Sequence, residues 1–114
     1  MKTTFLIIKI LIAVFLGIAI GVHVYGFFGH ISDEGPLSHT IHLISYSLCL
    51  FAFLRPVNFR LPLYCIGAIY PVAYHANCFF TQLFQLHKFN SICFEVIVIL
   101  PLAAVLIFAE SKKA

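Results

Sequence analysis

TFLIIKILIAVFLGIAIGVHV, residues 4–24, decides the fold class. A helix needs about 20 consecutive apolar residues to cross the hydrocarbon core of a bilayer. This stretch supplies them, interrupted by Lys9 and closing on His23. A helix that is apolar around its whole circumference offers water no face, so it belongs in a core or in lipid. A cleaved signal peptide is the rival reading. The apolar run from Ile10 to Val22 and beyond is long for one, and Ala19-Ile20-Gly21 is a poor cleavage site. Lys9 is expected to snorkel, its aliphatic stem lying along lipid and its ammonium reaching the headgroups. Tyr25, Phe27 and Phe28 then read as an interfacial anchor.

Three further spans follow. Pro36 suits the first turn of a helix because its missing N–H has no partner there, and Asp33 and Glu34 precede it where a helix N-terminus favours acids. That span runs from Pro36 to Leu54 and stops at Arg55-Pro56, since a residue before proline is driven out of helical geometry. The next runs from Leu61 to about Leu83 with Pro71 inside it, where a kink is expected. The last runs from Ser91 to Ala109 with Pro101 inside it. The reading is therefore an all-α chain, an antiparallel four-helix transmembrane bundle with spans at about 4–24, 36–54, 61–83 and 91–109.

Composition agrees. Of 114 residues, 62% are hydrophobic and 10% charged, and the mean hydropathy is +1.06. A soluble domain carries roughly a quarter charged residues. Four spans use most of the chain and leave no room for a soluble domain. The net charge of +3 is scattered at segment ends and is no nucleic-acid footprint. It orients the chain instead. With the N-terminus inside, Lys2, Lys9, Arg55, Arg60, Lys112 and Lys113 lie on the cytoplasmic side and Lys88 alone outside. The positive-inside rule then places both termini in the cytoplasm and the chain in the inner membrane.

In that topology all six histidines, His23, His30, His39, His42, His75 and His87, fall in the outer half. Helical phase, about 100° per residue, sharpens the asymmetry. Ser38, His39, His42, Ser45, Tyr46, Cys49 and Phe53 share one face of the second span. Tyr64, Gly67, Pro71, Tyr74, His75, Cys78 and Gln82 share one face of the third. Ser91, Glu95, Val98 and Leu102 are expected to form the inward face of the fourth, because polar groups face lipid only at a cost. At 1.5 Å per residue, His42, His75 and Glu95 all lie roughly 6–12 Å below the outer surface. Three ionisable groups on inward faces at one depth form a candidate site.

His39, His42, His75 and Glu95 are the candidate ligands of a transition metal, since neutral imidazole suits Zn, Cu, Fe and Ni. His42 and His75, with Tyr46 and Tyr74 beside them, are the candidate cofactor-binding residues, whether as axial ligands of a haem or as partners of a quinone head group or a relayed proton. The plainer reading is a hydrogen-bonded network that fixes helix register, with Glu95 protonated or paired. Neither HExxH nor CxxCH occurs in the sequence, nor any catalytic triad or phosphate loop, so an enzyme acting on a soluble substrate is not expected. Lys9, Ala13, Gly17 and Gly21 form a small-residue stripe of the kind that lets helix backbones approach. Ala13, Gly17 and Gly21 are thus the candidate contact inside the bundle, with a second copy, or with a larger membrane complex to which the chain is accessory. Cys78 and Cys93 flank the last hairpin at similar height and are candidates for a disulfide in an oxidising outer compartment, although by the wheel Cys93 stands about 160° from Glu95.

The order of these features resembles small bacterial four-helix membrane proteins with no assigned activity. Pro36-Leu37 with His39, Arg55-Pro56, Tyr74-His75 and Pro101-Leu102 carry the resemblance over the last three spans. By architecture the chain is also similar to DoxX-like four-helix proteins. The resemblance implies the fold and brings no ligand or catalytic residue.

Overall fold

The computed structural model describes residues 2–29 and 35–113. His30, Ser32, Asp33 and Glu34 lie outside the described residues. Four helices make up almost all of the rest: α1 Lys2–Gly29, α2 Pro36–Leu54, α3 Arg60–Gln85 and α4 Ser91–Lys113. α2 begins and ends where the prolines require. Pro36 occupies its first turn, and Arg55 before Pro56 is extended at φ −102°, ψ 134°. α1 and α4 run further than the 4–24 and 91–109 expected. Tyr25, Phe27 and Phe28 belong to the end of α1, because Gly26 alone does not stop a helix. Glu110 and Lys112 likewise extend α4.

The α3–α4 connection is tied to both helices. His87 takes a positive φ of 52°, and the Lys88 N–H donates to the Gln82 carbonyl at 3.0 Å. Asn90 caps α4, its Oδ1 accepting from the Cys93 N–H at 3.1 Å. Its Nδ2 donates to Gln82 Oε1 at 3.1 Å. A side-chain oxygen at this position satisfies an otherwise orphaned helix donor, and here it also fixes where Cys93 stands.

Consecutive helices pack against one another. Side chains late in α1 and α3 meet side chains early in α2 and α4 at one end, and the reverse holds at the other. The second end is held by charge. Lys9 Nζ lies 3.2 Å from Glu110 Oε2 and the Arg60 guanidinium 3.4 Å from Glu110 Oε1. Arg60 also donates from Nε to the Ala52 carbonyl at 2.7 Å, and to the Phe53 carbonyl. A cation on the last carbonyls of a helix satisfies acceptors that have no intrahelical donor and complements the dipole. Lys9 is therefore one arm of an ion-pair cluster, correcting the expectation that it only snorkels.

Between the ends lies an apolar core in which Leu16, Phe53, Leu100 and Ile107 are fully buried. Tyr64 is buried with them and donates its hydroxyl to the Leu100 carbonyl at 2.9 Å. α2 and α3 approach closely at Gly67, where a Cβ would stand 2.9 Å from the Ser45 carbonyl oxygen and 3.1 Å from Cys49 Sγ. The polarity of the molecule is inverted relative to a soluble bundle. Large apolar side chains such as Leu11, Ile18, Ile66, Ile69 and Val105 point outward, while histidines and Ser45 are buried. α1, α2 and α4 are long and apolar enough to cross a membrane. α3 is equally long but more polar, since its one buried face is built from Tyr64, Gly67, Pro71, His75 and Phe79.

Two expected faces differ. In α4 the buried positions are Cys93, Val96, Leu100, Ala103 and Ile107, while Ser91, Glu95, Val98 and Leu102 are exposed. The helix turns its most continuous small and branched apolar stripe to the core, and Glu95 goes to the flank. In α1, Gly17 and Gly21 face outward with nothing within 4 Å of a Cβ at either, so of the Ala13–Gly17–Gly21 stripe only Ala13 packs, partly buried, against the core. The helix buries Ile12, Leu16 and His23 instead, side chains that fill space between helices as glycine cannot.

Candidate metal centre

Three imidazoles from three helices converge at the end of the bundle away from the ion pairs. His23 of α1, His42 of α2 and His75 of α3 each offer a ring nitrogen, and the three nitrogens lie within 4.8 Å of one another. The residues are 6%, 0% and 9% exposed. Burial at this level leaves bulk water little access and makes the neighbours of each ring decisive.

Each ring is held through Nδ1. His42 Nδ1 lies 3.1 Å from the Ser38 carbonyl oxygen, one turn back on its own helix. A carbonyl only accepts, so the proton sits on Nδ1 and the lone pair on Nε2. His23 Nδ1 lies 2.9 Å from His39 Nδ1, and His75 Nδ1 lies 3.2 Å from Cys93 Sγ. This is the arrangement by which outer partners orient ligating histidines and set their tautomer. It leaves Nε2 of each ring as the nitrogen to which a metal ion can bind.

The surrounding shell is aromatic. His23 and His42 stack at 4.3 Å between ring centroids. Tyr46, Tyr70 and Tyr74 stand 5.8, 4.9 and 4.8 Å from the His42 ring, and His75 stands 5.4 Å from it. Tyr70 is anchored in turn by a 2.9 Å hydrogen bond with Ser38 Oγ. Close packing at α1 is possible because residue 26 is glycine: a Cβ there would lie 2.5 Å from the His39 ring. Gly26 thus makes the space in which His39 reaches His23.

Of the residues singled out from the sequence, His42, His75, Tyr46 and Tyr74 come together. His39 is adjacent, joined to His23, and stands outside the set of three. Glu95 is exposed and lines a cavity beside the cluster together with His23, His39 and His75. Its place among the converging groups is taken by His23. His23 escaped the sequence reading because α1 was expected to end at Val24, which puts His23 at the membrane surface. The helix continues to Gly29, which brings His23 six residues inside. The absence of proline between Val24 and Gly29 was the available signal. Cys78 and Cys93 are both free thiols, not a disulfide, and the His75–Cys93 contact extends the cluster into α4. His87 lies in the α3–α4 connection, exposed and apart.

No protein-family model, no curated protein and no solved structure matches this chain.

Proposed function

We propose that this chain is a small inner-membrane protein, an antiparallel four-helix transmembrane bundle that binds one transition-metal ion through His23, His42 and His75. The convergence of three buried imidazoles, each gripped at Nδ1, carries the reading. Metal–imidazole bonds of about 2.0–2.1 Å keep two ligating nitrogens within roughly 4.2 Å, so small side-chain rotations close the site on an ion. Three protein ligands leave a coordination position open, as in catalytic and exchange sites. His39, Ser38 and Cys93 orient the ligands, and Tyr46 and Tyr74 exclude water around them. A haem fits less well: the rings of His23, Tyr46, Tyr70, Tyr74 and His75 surround His42 at 4.3–5.8 Å and leave no slot for a porphyrin.

The membrane setting is supported by the outward apolar faces of the three long apolar helices and by the six-to-one distribution of Lys and Arg. It puts both termini in the cytoplasm and the histidines towards the outer surface. Metal-free protein titrated with Zn2+ and with Cu2+, and analysed by elemental mass spectrometry, should retain one ion per chain. His42→Ala and His23→Ala should abolish that stoichiometry, and His87→Ala should preserve it. Retention by the His23→Ala/His42→Ala/His75→Ala triple variant overturns the reading.

A second reading, an accessory subunit of a larger membrane complex, is favoured by one observation. Gly17 and Gly21 present bare backbone outward, a surface on which another helix can pack closely.

A further inference from the structure

Beside the histidines, α1 and α4 part to enclose a cavity of about 400 Å³. Its walls are Phe15, Ile18, Ala19 and Val22 of α1 and Ile92 and Val96 of α4. His23, His39, Tyr46 and His75 make its polar side, and among the described residues Glu95 is the one charged side chain along it. The two helices that frame it are both apolar enough to lie in lipid. At the opposite end of the bundle Lys9 and Glu110 link the same two helices by an ion pair.

We infer that this cavity is a lateral binding site for a lipid-soluble quinone, which enters between α1 and α4 and seats its ring oxygens against His23, His39 and Tyr46. The inference rests on the membrane setting proposed above. Four observations favour this ligand class. The volume lies within the roughly 300–1,000 Å³ of small-molecule pockets and takes a substituted six-membered ring. The walls are apolar and continuous with the faces that meet lipid, so a hydrophobic tail leaves sideways without crossing a polar barrier. The polar groups opposite the mouth are imidazoles and a phenol, which donate to or accept from neutral carbonyl and hydroxyl oxygens. Among the described residues no Lys or Arg lines the cavity, and the Glu95 carboxylate repels phosphate. A neutral head group therefore suits the site and a phospholipid head group does not. Two metal-site histidines, His23 and His75, border the same space, so a seated quinone lies next to the open coordination position.

The test is calorimetric titration of the purified, metal-free full chain in detergent with decylubiquinone. Saturable binding at one per chain is expected. Ala19→Trp and Ile92→Trp, which fill the cavity from opposite walls, should each weaken it at least tenfold. Leu11→Trp, on the lipid-facing side of α1, should leave it unchanged. Far-ultraviolet circular dichroism and a thermal unfolding midpoint equal to wild type identify the tryptophan variants as folded. Equal uptake by wild type and both cavity-filled variants means partition into the micelle and overturns the proposal. So does a bound phospholipid that decylubiquinone fails to displace. Quinone binding in a protein that takes up no metal sustains this site and rejects the metal reading. Metal binding without quinone does the reverse.

Discussion

At Gly26 a single hydrogen atom decides whether His39 can reach His23. A methyl group there would fall 2.5 Å from the imidazole and, unlike a clash with the tip of a lysine, would meet a ring whose Nδ1 is hydrogen-bonded to His23. Gly26→Ala is therefore expected to expel His39 and to release His23 Nδ1 from its partner. Loss of an outer partner of a metal ligand typically costs 10–100-fold in affinity. Competitive titration with a chromogenic chelator should show a loss of that size in Gly26→Ala and a similar one in His39→Ala. Gly17→Ala and Gly21→Ala, whose new methyls meet nothing within 4 Å, should match wild type. An unchanged affinity in Gly26→Ala would remove His39 from the site.

Between elements, two contacts fix how the helices sit. α2 and α3 meet at Gly67, where the nearest obstacle to a Cβ is the Ser45 backbone carbonyl, which cannot rotate away. Overpacking of this kind costs about 1–3 kcal/mol. Gly67→Ala should lower the midpoint of thermal unfolding and also loosen the His42–His75 pair, which the same two helices carry. At the opposite end, Glu110 is shared by Lys9 and Arg60. The three side chains are partly exposed, and pairs of this kind contribute roughly 0–1 kcal/mol each. Glu110→Gln should therefore cost on the order of 1 kcal/mol in denaturant titration. Arg60→Ala should cost more, because it also strips the donors from the Ala52 and Phe53 carbonyls. Equal effects for the two variants would mean that the capping bonds add nothing.

For the whole molecule, the proposed topology makes a labelling pattern. Asn58 and Lys88 lie in connections at opposite ends of the bundle. In a background with the four native cysteines replaced, Lys88→Cys should react with a membrane-impermeant maleimide on intact cells. Asn58→Cys should react only after permeabilisation. Labelling of Asn58→Cys from outside would reverse the orientation and turn the histidine end to the cytoplasm.

Residues 4–24 and the shortage of charge determined by themselves that the chain is helical and that its surface is apolar, because no arrangement of so few charged groups covers a soluble domain. Pro36 and Pro56 determined the limits of α2 through backbone geometry that no packing can change. The polar faces of α2 and α3 were legible too, since each carries enough polar residues at helical spacing to define a side. α4 was not, because Glu95 was a single polar marker. The burial of Cys93, Val96 and Leu100 follows from which stripe fills the space left by α1–α3, and that space exists only in three dimensions. The same is true of His23. Its sequence neighbours are apolar on both sides and give it no preferred direction. Only the contact of α1 with α2, and the room made by Gly26, bring it to His39 and His42. Local chemistry sets what each helix can be, and packing chooses which side chains share a centre.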